Sequence, residues 1–149
     1  MYTYLVVLLV SLAVPVARSF EKKHIHFAGY LPFLFPAMFI TAGVFVPWDV
    51  LFTHWGVWGF NSEYLVGLFL FGLPVEEWLF FLVIPYVCLF SYEVLNYFIK
   101  KDLLGKFSSG ITWFLIVFHS ALLIIYPDQM YTTWVAIFNI VLLALVGIA

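Results

Sequence analysis

The chain has 149 residues, 66% hydrophobic, 22% aromatic and 9% charged, with six Lys/Arg, eight Asp/Glu and a formal net charge of −2. A soluble domain carries about 25% charged residues, so this supply cannot clothe a water-facing surface, and so few cations exclude a nucleic-acid-binding role. Cys88 is the only cysteine, which excludes an intrachain disulfide and a cysteine metal cage.

What is left is an all-α integral membrane protein of about five transmembrane helices, because a helix satisfies its own backbone polar groups where water is absent. A span takes about 20 residues. In chain order the apolar runs are Tyr2–Ala17, Tyr30–Val50, Pro74–Ile99, Ile111–Tyr126 and Thr132–Ala149. The first, fourth and fifth are short or near the lower limit. The first run suggests a signal peptide, but no cationic segment precedes it and Arg18, Lys22 and Lys23 follow it, an order that suits a first helix inserted with its N-terminus outside. Between the second and third runs, Tyr64–Leu73 is too short to span and reads as an interfacial or re-entrant piece.

The cations fall in two stretches, Arg18/Lys22/Lys23 and Lys100/Lys101/Lys106, in alternate loops. The loops around Trp55–Glu63 and Pro127–Met130 contain no Lys or Arg. Positive residues mark the cytoplasmic side. The pattern therefore predicts a multi-pass protein of the cytoplasmic membrane, N-terminus outside and C-terminus inside.

Acids next to these spans are the first candidates for function, since a carboxylate in a membrane is costly to keep. Span two ends at Pro47-Trp48-Asp49, and span three opens on Pro74-Val75-Glu76-Glu77. Consecutive antiparallel helices bring Asp49, Glu76 and Glu77 to similar depth, where they can share a pocket. Helix-end chemistry is the competing reading: proline followed by acids suits a helix N-terminus, and Asp49 equally suits the interface. Neighbouring helical residues point about 100° apart, so one of Glu76 and Glu77 faces the bundle and the other faces solvent or headgroups. Glu93 lies roughly 25 Å farther along span three at ~1.5 Å per residue, a solvated helix end beside Asn96 and Lys100.

Trp48, Trp55, Trp58 and Trp78 crowd the region of the three acids. They fit an aromatic belt at headgroup level, or a wall whose ring faces stabilise a cation. His119, in the middle of span four, fits a hydrogen bond to a neighbouring helix. No G-x-G-x-x-G signals a nucleotide cofactor. His24, His26, His54 and His119 lack the paired spacings that hold a metal, and His24-x-His26 reads as a solvated loop.

Taken as an ordered set, Trp48-Asp49, Gly56-Val57-Trp58-Gly59-Phe60-Asn61, Leu73-Pro74-Val75-Glu76-Glu77-Trp78-Leu79-Phe80-Phe81 and Tyr92-Glu93-Val94-Leu95-Asn96-Tyr97 resemble the membrane-integral lycopene cyclase family, whose hallmark is P-x-E-[ED]. The resemblance runs from about Tyr2 to Lys106. It implies cofactor-independent closure of linear carotene ends to β-type rings. Glu76, Glu77 and Asp49 are the implied acid–base residues, and Trp48, Trp58, Trp78, Phe80 and Phe81 the implied substrate wall. Similar family members carry two related halves, each with its own acidic segment, whereas this chain has one. Residues 1–106 therefore read as a first repeat of three helices, and 107–149 as a linker helix and the start of an incomplete second repeat. The expected partners are lycopene or a related carotene, the bilayer, and a second cyclase subunit or a second copy. A carotenoid hydratase using the same cation and a non-enzymatic membrane scaffold are the rival readings.

Overall fold

A computed structural model describes residues 2–21, 25–102 and 104–148; Lys22, Lys23 and His24, part of the first basic stretch, lie outside the described residues. The helices are α1 (Thr3–Ser19), α2 (Leu31–His54), α3 (Val75–Phe98), α4 (Ser108–Ile125) and α5 (Met130–Ile148). Two short strands, β1 (Phe69–Leu70) and β2 (Leu73–Pro74), pair ahead of α3. Phe27–His54, Val75–Phe98, Gly105–Ile125 and Met130–Gly147 are long and apolar enough to cross a bilayer. α1 is apolar but has only 17 residues, about 25 Å of helix. Large apolar side chains such as Phe33, Ile40, Phe98 and Ile124 lie exposed on the helices, as an all-α membrane protein requires.

The chain divides into two compact units, Met1–Lys100 and Lys101–Ala149. In the first, α3 packs against both α1 and α2. Phe27, Leu34, Met38, Tyr86 and Phe90 form its buried core. Phe27 is the hub of that core, its ring edge-on to Tyr86 and Phe90 with centroids 5.5 Å apart in each pair.

Pro36 and Pro47 lie within α2, and the helix runs on beyond the Val50 end expected from hydropathy, as far as His54. Its actual stop is Gly56. With φ +70° at Gly56, the Gly56 amide donates to Thr53 O and the Val57 amide to Phe52 O, the paired bonds of a Schellman C-terminus. Proline in a membrane helix costs an amide donor but need not end the helix.

The segment expected to be interfacial or re-entrant contains a β-hairpin. Phe69 pairs with Pro74 and Leu70 with Leu73. Phe71 and Gly72 both have positive φ, +53° and +81°, the requirement of a two-residue type I′ turn. Glycine meets that requirement freely, and phenylalanine does so at a cost.

In the second unit α4 and α5 pack as a helical hairpin. A carbonyl only accepts, so His119 Nδ1–H donates to Leu115 O at 2.7 Å, and bare Nε2 accepts from Asn139 Nδ2 at 3.1 Å. The mid-span histidine is thus held by the neighbouring helix.

Candidate active site

Each helix of the first unit carries one buried stripe, and the acids extend those stripes. On α2 the buried residues include Leu34, Met38, Asp49 and Phe52; on α3 they are Glu76, Val83, Tyr86 and Phe90. The separations are threes, fours and their sums, the spacing of one helix face. Asp49, 5% exposed, and Glu76, 2% exposed, therefore occupy positions where the pattern calls for an apolar side chain. Asp49 is neither at a helix end nor at an exposed edge. Of the adjacent pair, Glu76 faces inward and Glu77 is half-buried, the split expected from a 100° step.

Glu76 is held by the hairpin segment. The Val66 amide donates to its Oε1 at 2.5 Å, while buried Oε2 has no hydrogen-bond partner among the described residues. Two further bonds fasten the same segment to the start of α3: Val75 N–H to Leu68 O at 2.9 Å and Trp78 Nε1–H to Leu70 O at 3.2 Å. Within the segment, Leu65 and Leu73 are buried.

Asp49 has a different partner. The turn at Gly56 folds the chain back so that the Trp58 indole N–H lies in hydrogen-bonding reach of the Asp49 carboxylate and 3.1 Å from Thr53 Oγ1. Glu77 lies within electrostatic range of both Asp49 and Glu76. The three carboxyl groups thus form one cluster at one end of the three-helix unit. Among the described residues no three His, Cys, Asp or Glu side chains converge as a metal-holding group.

The aromatic residues divide into three places. Trp48, Trp55 and Trp58 surround Phe52, with centroids 5.3, 5.9 and 5.1 Å away, beside Asp49. Trp78 stacks obliquely on Phe71 at 6.1 Å and lines an apolar groove of about 430 Å³ between α2 and α3, with Phe39, Gly43, Pro47 and Leu82. Phe80 and Phe81, in edge contact at 5.9 Å, follow Glu77 at i+3 and i+4, on its side of α3. Phe81, on α3, and Trp58, in the bend just beyond α2, thus stand beside acids that interact, and Trp78 lies on another face. Glu93 is at the far end of the unit, in a pocket with Phe27, Tyr30 and Leu89.

The Val66 amide, the Leu70 carbonyl and Thr53 have no signature in the residue pattern. Gly67 and Gly72, with φ +90° and +81°, are the only sequence signals near the hairpin.

Fold and site define a helical membrane protein with an acid cluster set among aromatic rings at one end of an apolar three-helix unit. The chain belongs to the lycopene cyclase family: the family model for lycopene cyclase matches residues 1–95, which include Asp49, Glu76, Glu77 and all of the aromatic residues just described. No curated protein and no solved structure matches the chain. Membership supports a carotenoid-cyclase role and a carotene substrate.

Proposed function

We propose that the chain catalyses closure of linear carotene ends to β-type rings by proton transfer alone, at the site where Asp49, Glu76 and Glu77 are grouped, acting in the cytoplasmic membrane. The observation that carries this reading is the convergence of three carboxyl groups, two of them on buried helix faces, in a member of the lycopene cyclase family. A carboxyl O–H donates its proton to the terminal C=C of the linear end. The internal C=C attacks the resulting cation and forms the ring C–C bond. A carboxylate then takes a proton from the carbon beside the ring cation, and a new C=C forms. One proton enters and one leaves, so substrate and product have the same formula and no oxidant or reductant is consumed.

The aromatic rings near Asp49 and Glu77 suit the intermediate, since ring faces attract a desolvated cation by about 2 kcal/mol or more. Trp58, within reach of Asp49, and Phe81, one turn from Glu77, are the assigned wall; Trp48 and Phe80 flank them. Residues 1–106 act as one cyclase repeat, with a second subunit or a second copy as the partner that completes the enclosure of a long polyene.

Expression in lycopene-accumulating bacteria tests the proposal, with the chain alone and with a second family subunit supplied. Ring-closed carotene in either strain supports it. Unchanged lycopene in both points to a scaffold, and acyclic hydroxylated pigment points to a hydratase; either overturns it.

A further inference from the structure

The two adjacent acids have different surroundings, and the difference bears on which of them handles the proton. A general acid must come within about 2.6–3.2 Å of the atom it protonates. Glu76 cannot do so as it stands: the residue is 2% exposed, Oε1 is occupied by the Val66 amide, and Oε2 is shut off from solvent. Glu77 is half-buried, next to Asp49 and Glu76, with Phe80 and Phe81 on its side of the helix. Burial alone does not explain why a carboxyl group stands at position 76. Its bond to Val66 does, because that half-buried amide lies outside both strands and has no other acceptor among the described residues.

We infer that Glu76 is a positioning residue, which straps the 65–74 hairpin segment to the first turn of α3 through the Val66 amide, and that Glu77 is the group that delivers the proton. The second half of this assignment rests on the cyclase reading above; the first half does not. The strap is closed at both ends and in the middle: Val66 to Glu76, Leu68 O to the Val75 amide, and Leu70 O to the Trp78 indole. Of these anchors only Glu76 is ionisable, and α3 has no side-chain cap at Pro74. Holding the strap holds the first helical turn, and with it the direction in which Glu77 points.

The two roles separate in the response to glutamine. Glu76→Gln keeps an oxygen for the Val66 amide and, because Oε2 has no donor to lose, breaks no hydrogen bond. Glu77→Gln removes the transferable proton. A third variant, Val66→Pro, deletes the amide donor and leaves both acids in place; Leu65 is already extended at φ −94°, ψ 159°, the conformation a residue before proline adopts.

The test uses the full chain in lipid nanodiscs for hydrogen–deuterium exchange and in lycopene-producing cells, with the partner subunit if needed, for pigment formation. Expected results are these. Glu76→Gln keeps the Val66 amide protected and cyclises within about tenfold of the parent. Glu77→Gln keeps Val66 protected and loses at least ~100-fold, the scale of a missing general acid. Val66→Pro speeds exchange at the Val75 amide, the donor to Leu68 O, at least tenfold and lowers cyclisation, with both carboxyl groups present. Cyclisation lost in Glu76→Gln while Val66 stays protected would make Glu76 the donor and overturn the assignment. Unchanged exchange at the Val75 amide in Val66→Pro would remove the strap. A parent chain that forms no ring with or without a partner defeats the cyclase reading, and the exchange measurements still decide the strap.

Discussion

Ser19 and Tyr86, 67 positions apart in the chain, share a hydrogen bond of 2.6 Å in the buried seam between α1 and α3. Ser19 Oγ–H donates to Pro15 O at 2.6 Å, so its oxygen accepts from the Tyr86 hydroxyl. The bond joins the apolar first helix to the helix that carries Glu76 and Glu77.

Its two ends should differ in a mutational test. Tyr86→Phe removes the donor and leaves Ser19 bonded to Pro15, at a cost near the ~0.6 kcal/mol average for interhelical bonds in membranes. Ser19→Ala strands a buried hydroxyl and should cost more, about 1–3 kcal/mol. Reversible unfolding in mixed micelles measures both, and the reverse order would refute the donor assignment.

The split among the aromatic side chains predicts which face the polyene uses. Phe81→Ala should lower cyclisation at least about tenfold, through loss of ring contact with the cation. Gly43→Leu should change it little: a Cβ at Gly43 meets no atom within 4 Å, and the groove that the side chain would enter is on another face from Glu77. Product formation in lycopene-producing cells decides the point, and loss in Gly43→Leu alone would put the substrate in the groove.

At the other end of the unit, Glu93→Gln should leave cyclisation within about threefold of the parent. Glu93 lines its own pocket with Phe27 and Tyr30, apart from the three-acid cluster. Loss of product in this variant, with insertion intact, would assign the far pocket a part in the reaction.

Asn139→Leu removes the only donor to His119 Nε2 among the described residues. It should loosen the α4–α5 hairpin by about 0.5–1.5 kcal/mol. Force or steric-trap unfolding of the hairpin in bilayers measures this, and equal stability would show that helix packing alone holds the pair.

The one-sided cations predict topology. A reporter fused at Lys101 should read cytoplasm, and one inserted at Asn61 the outer side. The opposite pair of results would invert the orientation and place the acid cluster at the cytoplasmic face.

The helices were legible because apolar length alone dictates them in a bilayer, and the grouping of Asp49 with Glu76 and Glu77 followed from two helices meeting at one depth. The end of α2 was misjudged by one turn, since Pro47 draws the eye while Gly56 supplies the left-handed residue that stops the helix. The hairpin was not legible. Its strands have two residues each, and its turn places phenylalanine where a pattern reader looks for asparagine or glycine. Ser19–Tyr86 has no local signature, since neither residue says which partner it will meet.

The strap over Glu76 has a consequence for how the proposed cyclisation is assayed. Leu68, Phe69, Leu70 and Phe71 project exposed from it, so the acid cluster is roofed by a greasy surface and the helices around it are greasy too. In the proposed reaction a water-insoluble polyene therefore reaches Glu77 sideways, by diffusion in two dimensions within the lipid. Its effective concentration is the mole fraction of carotene in the membrane. Diluting the vesicles in buffer should leave the rate per enzyme unchanged, and diluting the carotene with phospholipid should lower it.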